Sequence, residues 1–164
     1  MTISVQEQFG QIDIYVFDQV LRGNIAPGMR VLDVGAGSGI LSIAAARLGA
    51  SYVEAVEIEP VAAGVCRQNV ERNGLADIVS VRLGTLQGAP DDPFDVVLAN
   101  ISVATLLELH PVLALQLRRG GLAVLSGVLA ERADELWETL RAAGWRPERT
   151  DFDQDWVALL VRHL

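Results

Sequence analysis

The sequence predicts an α/β protein: a three-layer α/β/α sandwich around a mostly parallel seven-stranded sheet that ends in an antiparallel C-terminal hairpin. Three observations predict it. Apolar strand-like runs alternate with helix-like segments five times along the chain. The run Val31-Leu32-Asp33-Val34 breaks into glycine at alternate positions, Gly35, Gly37 and Gly39, directly before a stretch of strong helix formers. The chain then closes with two strand-like runs separated only by Asp153-Gln154-Asp155, a connection so short that the strands must pair antiparallel.

Each element follows in order. Ile12, Val16 and Val20 recur every four positions with Phe17 and Leu21 beside them, predicting an amphipathic helix over Asp13 to Arg22. Phe9-Gly10 ahead of it is a candidate lid, so residues 1–28 are expected to form a helix and lid segment, ending in the turn Ala26-Pro27-Gly28. After the first strand, Ile40 to Leu48 reads as a helix stopped by Gly49. Tyr52 to Ile58 reads as a second strand. Pro60 opens the next helix, Asn73-Gly74 stops it, and Val61, Val65, Cys66 and Val70 are its expected apolar positions. Ile78 to Leu83 is a third strand, followed by a turn-rich stretch through Pro93. Phe94 to Ala99 is a continuous apolar run, expected as a buried parallel strand ending at Asn100. A helix is expected from about Val103 and an interruption before Pro111, because the residue preceding proline avoids the α region. Gly120-Gly121 turns into a fifth strand, Leu122 to Ser126; Ala133, Leu136, Trp137 and Leu140 mark one more helix, capped by Gly144. Trp145 to Phe152 and Trp156 to Val161 are the hairpin.

The totals bound the function classes. At 164 residues the chain is expected to be one domain, 1–164, able to bury a core without disulfide or metal. Its uncharged stretches are shorter than a membrane helix needs. The first residues carry acids and no basic region, unlike a signal peptide. A lone cysteine, Cys66, excludes an internal disulfide and suits a reducing cytoplasm; it reads as core filler. His110 and His163 are too few and too distant for a metal site, so none is expected. A net charge of −8 argues against nucleic acid as a direct substrate.

In such a sheet, ligands sit outside the carboxyl ends of the strands. Asp33, the glycine turn Gly35-Ala36-Gly37, Glu57 with Ile58, and Asn100 are all expected there. Glu57 closes the second strand, where an acceptor-only carboxylate suits ribose hydroxyls. Thr85 and Leu86, after the third strand, are placed to flank a purine ring. A nicotinamide dehydrogenase would show Gly-x-Gly-x-x-Gly, whose last glycine falls where this chain has Ile40. Asp33 would also repel a pyrophosphate while favouring a cation. S-adenosylmethionine, with its ammonium, its sulfonium and no phosphate, fits better.

These residues carry a resemblance. Val31 to Gly39, Glu57-Ile58-Glu59-Pro60, Phe94 to Asn100 and Gly120-Gly121 together resemble class I S-adenosylmethionine-dependent methyltransferases, a Rossmann-like fold, nearly end to end. Gly39 to Ala45, Ala99-Asn100-Ile101, Leu125 to Glu131 and Trp156-Val157 are most similar to the catalytic domain of bacterial ribosomal-protein lysine methyltransferases that modify a large-subunit stalk-base protein. The resemblance implies that Gly35 and Glu57 contact the cofactor and that Asn100 stands where cofactor and incoming amine meet. Two features depart from that family. Its N-terminal recognition domain has no room in this chain, and a threonine-containing loop that touches the cofactor is replaced by Phe9 to Asp13, a stretch more similar to small stand-alone class I enzymes. Asn100-Ile101-Ser102-Val103 lacks the Asn-Pro-Pro-aromatic signature of base-amino methylation, and only Glu108 is available where arginine methyltransferases need two glutamates.

The expected activity is therefore methyl transfer to an amine nitrogen of a protein or small-molecule acceptor, with Asn100 orienting the neutral amine and no dedicated base. The alternative is a cofactor-binding interaction or regulatory domain that has lost turnover. The two differ in whether bound cofactor is ever consumed.

Overall fold

The computed structural model describes Leu21 and residues 23–164. Apart from Leu21, the expected N-terminal helix and the Phe9-Gly10 lid lie outside the described residues.

A single seven-stranded sheet has the order β3-β2-β1-β4-β5-β7-β6. β1 (Arg30–Val34) leads through a glycine turn into α1 (Ile40–Arg47), and β2 (Tyr52–Glu57) into α2 (Pro60–Arg72). β3 (Val79–Leu83) runs to β4 (Phe94–Asn100), α3 (Val103–Gln116) and β5 (Leu117–Leu129). A 3-10 turn and α4 (Ala133–Ala142) precede β6 (Trp145–Asp153) and β7 (Trp156–His163). β1 to β5 pair in parallel, while β7 lies antiparallel to both β5 and β6. That is the sandwich and hairpin the sequence predicts.

Alternation along the strands sorts the core into two layers. Leu32, Val34, Val97 and Ala99 face α3 and α4, where Leu106, Leu113, Leu136 and Leu140 pack. Val31, Val53, Val96 and Leu98 face α1 and α2, where Leu41, Ala45, Cys66 and Val70 pack. Cys66 is fully buried, as a core residue should be.

Three local expectations need correction. On α2 the buried stripe is Ala63, Cys66 and Val70, while Val61 is 79% and Val65 42% exposed. The small Ala63 lets the helix approach the sheet on the i, i+3, i+7 face, and the two valines fall on the outer stripe. α3 runs unbroken through Pro111. Proline removes the bond that the Leu107 carbonyl would accept, at a cost of ~3 kcal/mol, but Leu106 and Leu113 on either side are fully buried and hold both halves in line. The strand–helix alternation also fails once: no helix joins β3 to β4. The connection is an irregular segment strapped by the buried Gln116 side chain, whose amide donates to the Gly88 carbonyl at 2.6 Å and the Gln87 carbonyl at 3.3 Å.

β6 is an outer strand, and its exposed edge is blunted by charge and proline. Arg146 and Arg162 both reach Glu148, Arg149 pairs with Asp151, and Pro147 interrupts the register. The two guanidiniums hold the Glu148 carboxyl below the usual range. Among the described residues, no helix is long and apolar enough to cross a membrane.

Candidate functional site

The strand order turns between β1 and β4, so β1's following helix lies on one face and β4's on the other. A crevice opens outside the carboxyl ends at such a switch point. Val34 pairs with Val56 on one side and with Ala99 on the other. The next residue of each chain segment is Gly35, Glu57 and Asn100, which therefore stand in one row. The row continues outward, because Glu57 pairs with Leu83 and Asn100 with Ser126. Register alone assembles the site.

The glycine turn is bound down at both ends. The N–H groups of Gly35 and Ala36 both donate to the Val56 carbonyl, at 2.9 and 3.1 Å. Gly35 has φ +69°, and a Cβ there would lie 2.6 Å from Ile101 Cγ2, so the turn touches the segment after β4. Gly39, the residue before α1, has φ +83°; a Cβ there would meet Cys66 Sγ at 2.6 Å. Glycine is required at both by conformation and by contact. Asn69 on α2 ties the turn from outside, its amide donating to the Ser38 carbonyl at 2.9 Å.

Glu57 is buried and its carboxylate is largely occupied by backbone. Oε2 accepts from Gly37 N–H at 2.8 Å, and Oε1 accepts from Ile58 and Glu59 N–H at 2.9 and 3.0 Å. A carboxylate has about four acceptor positions. Three are filled, so Glu57 braces the glycine turn and retains one for a ligand hydroxyl. Ile58 beside it is 65% exposed, and Leu83 across the strand pair is also exposed, an apolar shelf next to an acceptor. Thr85 is exposed, one residue beyond Gly84, whose N–H donates to the Glu57 carbonyl at 2.9 Å. Leu86 turns inward and packs against the α3-side core.

Asp33 sits beneath the turn at 1% exposure. Oδ2 accepts from the Ser42 hydroxyl at 2.6 Å, whereas Oδ1 has no partner among the described residues. Burial pushes its carboxyl up from 3.8 to about 6; the Ser42 hydroxyl and N–H pull the other way, and the Glu57 charge adds to the rise. The folded chain holds this proton more tightly than the unfolded one, so stability is full below about pH 4 and falls as pH rises towards 6. The fall amounts to about 3 kcal/mol for a group so buried. Asp33→Asn is expected to abolish this slope, measured by urea unfolding at pH 4.5 and pH 7; an unchanged slope would refute the assignment.

Asn100 ends β4 half-buried, with Oδ1 accepting from the Ser126 hydroxyl at 3.0 Å. Of the residues expected at the site, Asp33, Gly35, Ala36, Gly37, Glu57 and Asn100 are brought together on the carboxyl edge, with Ile58 and Thr85 flanking Glu57. Sequence reasoning missed the supporting residues Ser42, Asn69 and Ser126. Ser42 carried a signal: a polar residue at a fully buried helix position must have a polar partner. Among the described residues, no group of His, Cys, Asp and Glu is placed to hold a metal ion.

Comparison with known proteins bears on the family of the chain and on its fold. A protein of Exiguobacterium sp. named ribosomal protein L11 methyltransferase is 39% identical over 144 residues, covering 88% of this chain and 46% of that protein. One of the same name from Bacillus cereus is 38% identical over 145 residues, with the same shares. The chain thus spans about half the length of the curated relatives it matches. Among solved structures, a ribosomal protein L11 methylase from Lactobacillus delbrueckii subsp. bulgaricus superposes with a TM-score of 0.85 at 28% identity, covering 93% of this chain and 79% of that one. An RNA methyltransferase from Salinibacter ruber, solved with S-adenosyl-L-homocysteine, gives 0.73 at 25% identity, covering 91% and 90%. The profile of one family matches residues 12–163, from before the first strand to the last. This chain belongs to the ribosomal protein L11 methyltransferase (PrmA) family.

Proposed function

We propose that this chain is a single S-adenosylmethionine-dependent methyltransferase domain that acts in the cytoplasm on an amine nitrogen of a protein, a lysine of ribosomal protein L11 or a closely similar acceptor. The observation that carries the reading is the row Glu57–Gly35–Asn100 set by strand register at the switch point. The names borne by relatives that match 88% of this chain support the acceptor.

The residues present suit the cofactor. Glu57 keeps one acceptor position for a ribose hydroxyl, Ile58 gives a flat base an apolar shelf, and Thr85 borders it. Asp33 Oδ1, buried without a partner among the described residues, is a carboxylate oxygen aimed at no protein donor. A cation close to it would favour its ionised form. Gly37 carries no side chain that would hold a ligand away from the turn. S-adenosylmethionine, when bound, supplies a methyl group already activated on a sulfonium. The protein therefore contributes chiefly positioning.

A lysine amine has an ordinary pKa near 10.4, so neutralising it at pH 7 costs about 5 kcal/mol. Desolvation in the crevice and a neighbouring positive charge both lower that cost. The Asn100 amide oxygen accepts one N–H of the neutral amine and aims its lone pair. The test is transfer of a labelled methyl group from S-adenosylmethionine to purified bacterial ribosomal protein L11, with mass spectrometry of its lysines. The expected result is lysine methylation that Asn100→Ala slows about a hundredfold while cofactor affinity holds. Cofactor binding without transfer to any acceptor would favour an interaction domain instead.

A further inference from the structure

We infer that Ser126 is a positioning residue that sets the orientation of the Asn100 amide, an inference that rests on the methyl-transfer reading above. Ser126 on β5 pairs directly with Asn100 on β4. Alternation puts Asn100 on the face of Val96 and Leu98, and Ser126 on the face of Val124, so the two side chains share the α1 side of the sheet. Ser126 is 4% exposed and its hydroxyl reaches Asn100 Oδ1 at 3.0 Å.

A hydroxyl has one proton to give, and an amide oxygen accepts two bonds. The bond from Ser126 anchors the Asn100 side chain against β5 and, with Oδ1 as its acceptor, leaves one lone pair for an incoming amine N–H. Without that anchor the Asn100 side chain is free to change rotamer, and its oxygen no longer keeps a fixed place. A second feature limits the same rotation. The β5 register shifts between Leu125 and Val128, and the bulge brings Gly127 so close that a Cβ there would lie 2.9 Å from Asn100 Oδ1 and 2.7 Å from the Ile101 carbonyl. The β5 backbone thus walls the amide on the side where Ser126 holds it. In the sequence Ser126 is the last residue of the fifth strand; the pairing with Asn100 gives it its role.

The test uses two ligands that need no acceptor. S-adenosylhomocysteine lacks the transferred group; sinefungin carries a primary amine there, which meets whatever faces the methyl position. Calorimetric titration of Ser126→Ala is expected to show about a tenfold loss of sinefungin affinity, with S-adenosylhomocysteine affinity within twofold of wild type. Ser126→Thr, which keeps the hydroxyl, should bind both as wild type does. Ser126→Cys, close in size with a weak donor, should lose sinefungin affinity severalfold and keeps the question open to test if the alanine variant folds poorly. Asn100→Ala should lose as much as Ser126→Ala, and the double variant no more than either. Unchanged sinefungin affinity in Ser126→Ala, equal loss of both ligands, or additive losses in the double variant would overturn the inference alone. Failure of the wild type to bind either ligand would overturn the methyl-transfer reading, and this inference with it.

Discussion

Gly39→Ala is expected to destabilise the fold by about 2–5 kcal/mol. Two costs combine. The residue sits at φ +83°, where an L side chain costs about 1–2 kcal/mol. Its new Cβ would stand 2.6 Å from Cys66 Sγ, inside a fully buried contact between the glycine turn and α2, and overpacking of that kind costs about 1–3 kcal/mol. The backbone of α2 is not in the way, since the Cys66 Cα and Cβ lie at 3.6 Å. Cys66→Ala should therefore relieve the contact but not the backbone strain. Urea unfolding of the single and double variants is expected to give a favourable coupling of about 1–2 kcal/mol. Additive effects would mean that the turn and α2 do not touch as described. Because the turn lies at the carboxyl edge, the partly relieved double variant should also regain part of any lost cofactor affinity.

Glu57→Ala is expected to damage both stability and cofactor binding. The carboxylate collects the N–H groups of Gly37, Ile58 and Glu59, which converge on it from two segments of chain. Removing it leaves three donors dependent on water in a crevice where Glu57 itself is 7% exposed. Hydrogen bonds to charged groups contribute about 1.5–3 kcal/mol each, and partial rehydration brings the expected loss to about 2–4 kcal/mol. Affinity for S-adenosylmethionine should fall at least about thirtyfold, which corresponds to roughly 2 kcal/mol. Glu57→Gln separates the two roles. It keeps one oxygen, so it can serve one set of backbone donors but turns an NH2 group towards the other. Its stability loss should be smaller than that of Glu57→Ala, with cofactor affinity still well below wild type. Calorimetry and urea unfolding on the two variants read both effects, and full affinity in Glu57→Ala would rule out the cofactor role.

Much of this was legible in the sequence because the signals were local. Val31 to Gly39 announces strand, turn and helix by apolar run and glycine spacing, and the Asp153-Gln154-Asp155 connection forces the last pairing. Candidate site residues could be named because each lies at or just beside the carboxyl end of a strand, and parallel register then aligns strand ends. What escaped depended on partners distant in the chain. Pro111 looks like a helix break until Leu106 and Leu113 are seen packed on either side of it. Val61 and Val65 look like core until Ala63 is found facing the sheet. The expected ribose acceptor, Glu57, proves to hold the glycine turn as well, because one of its three backbone partners, Gly37, lies twenty residues earlier in the chain. Ser126 gains meaning only from a strand pairing across 26 residues.

On the proposed function, the carboxyl edge of β1, β2 and β4 binds a cationic adenosyl ligand. Isothermal titration of the chain with S-adenosylmethionine, with NAD in a parallel cell, tests it most directly. The expected result is saturable binding at one site for S-adenosylmethionine and none for NAD. Absence of binding at millimolar S-adenosylmethionine, or preference for NAD, would contradict it.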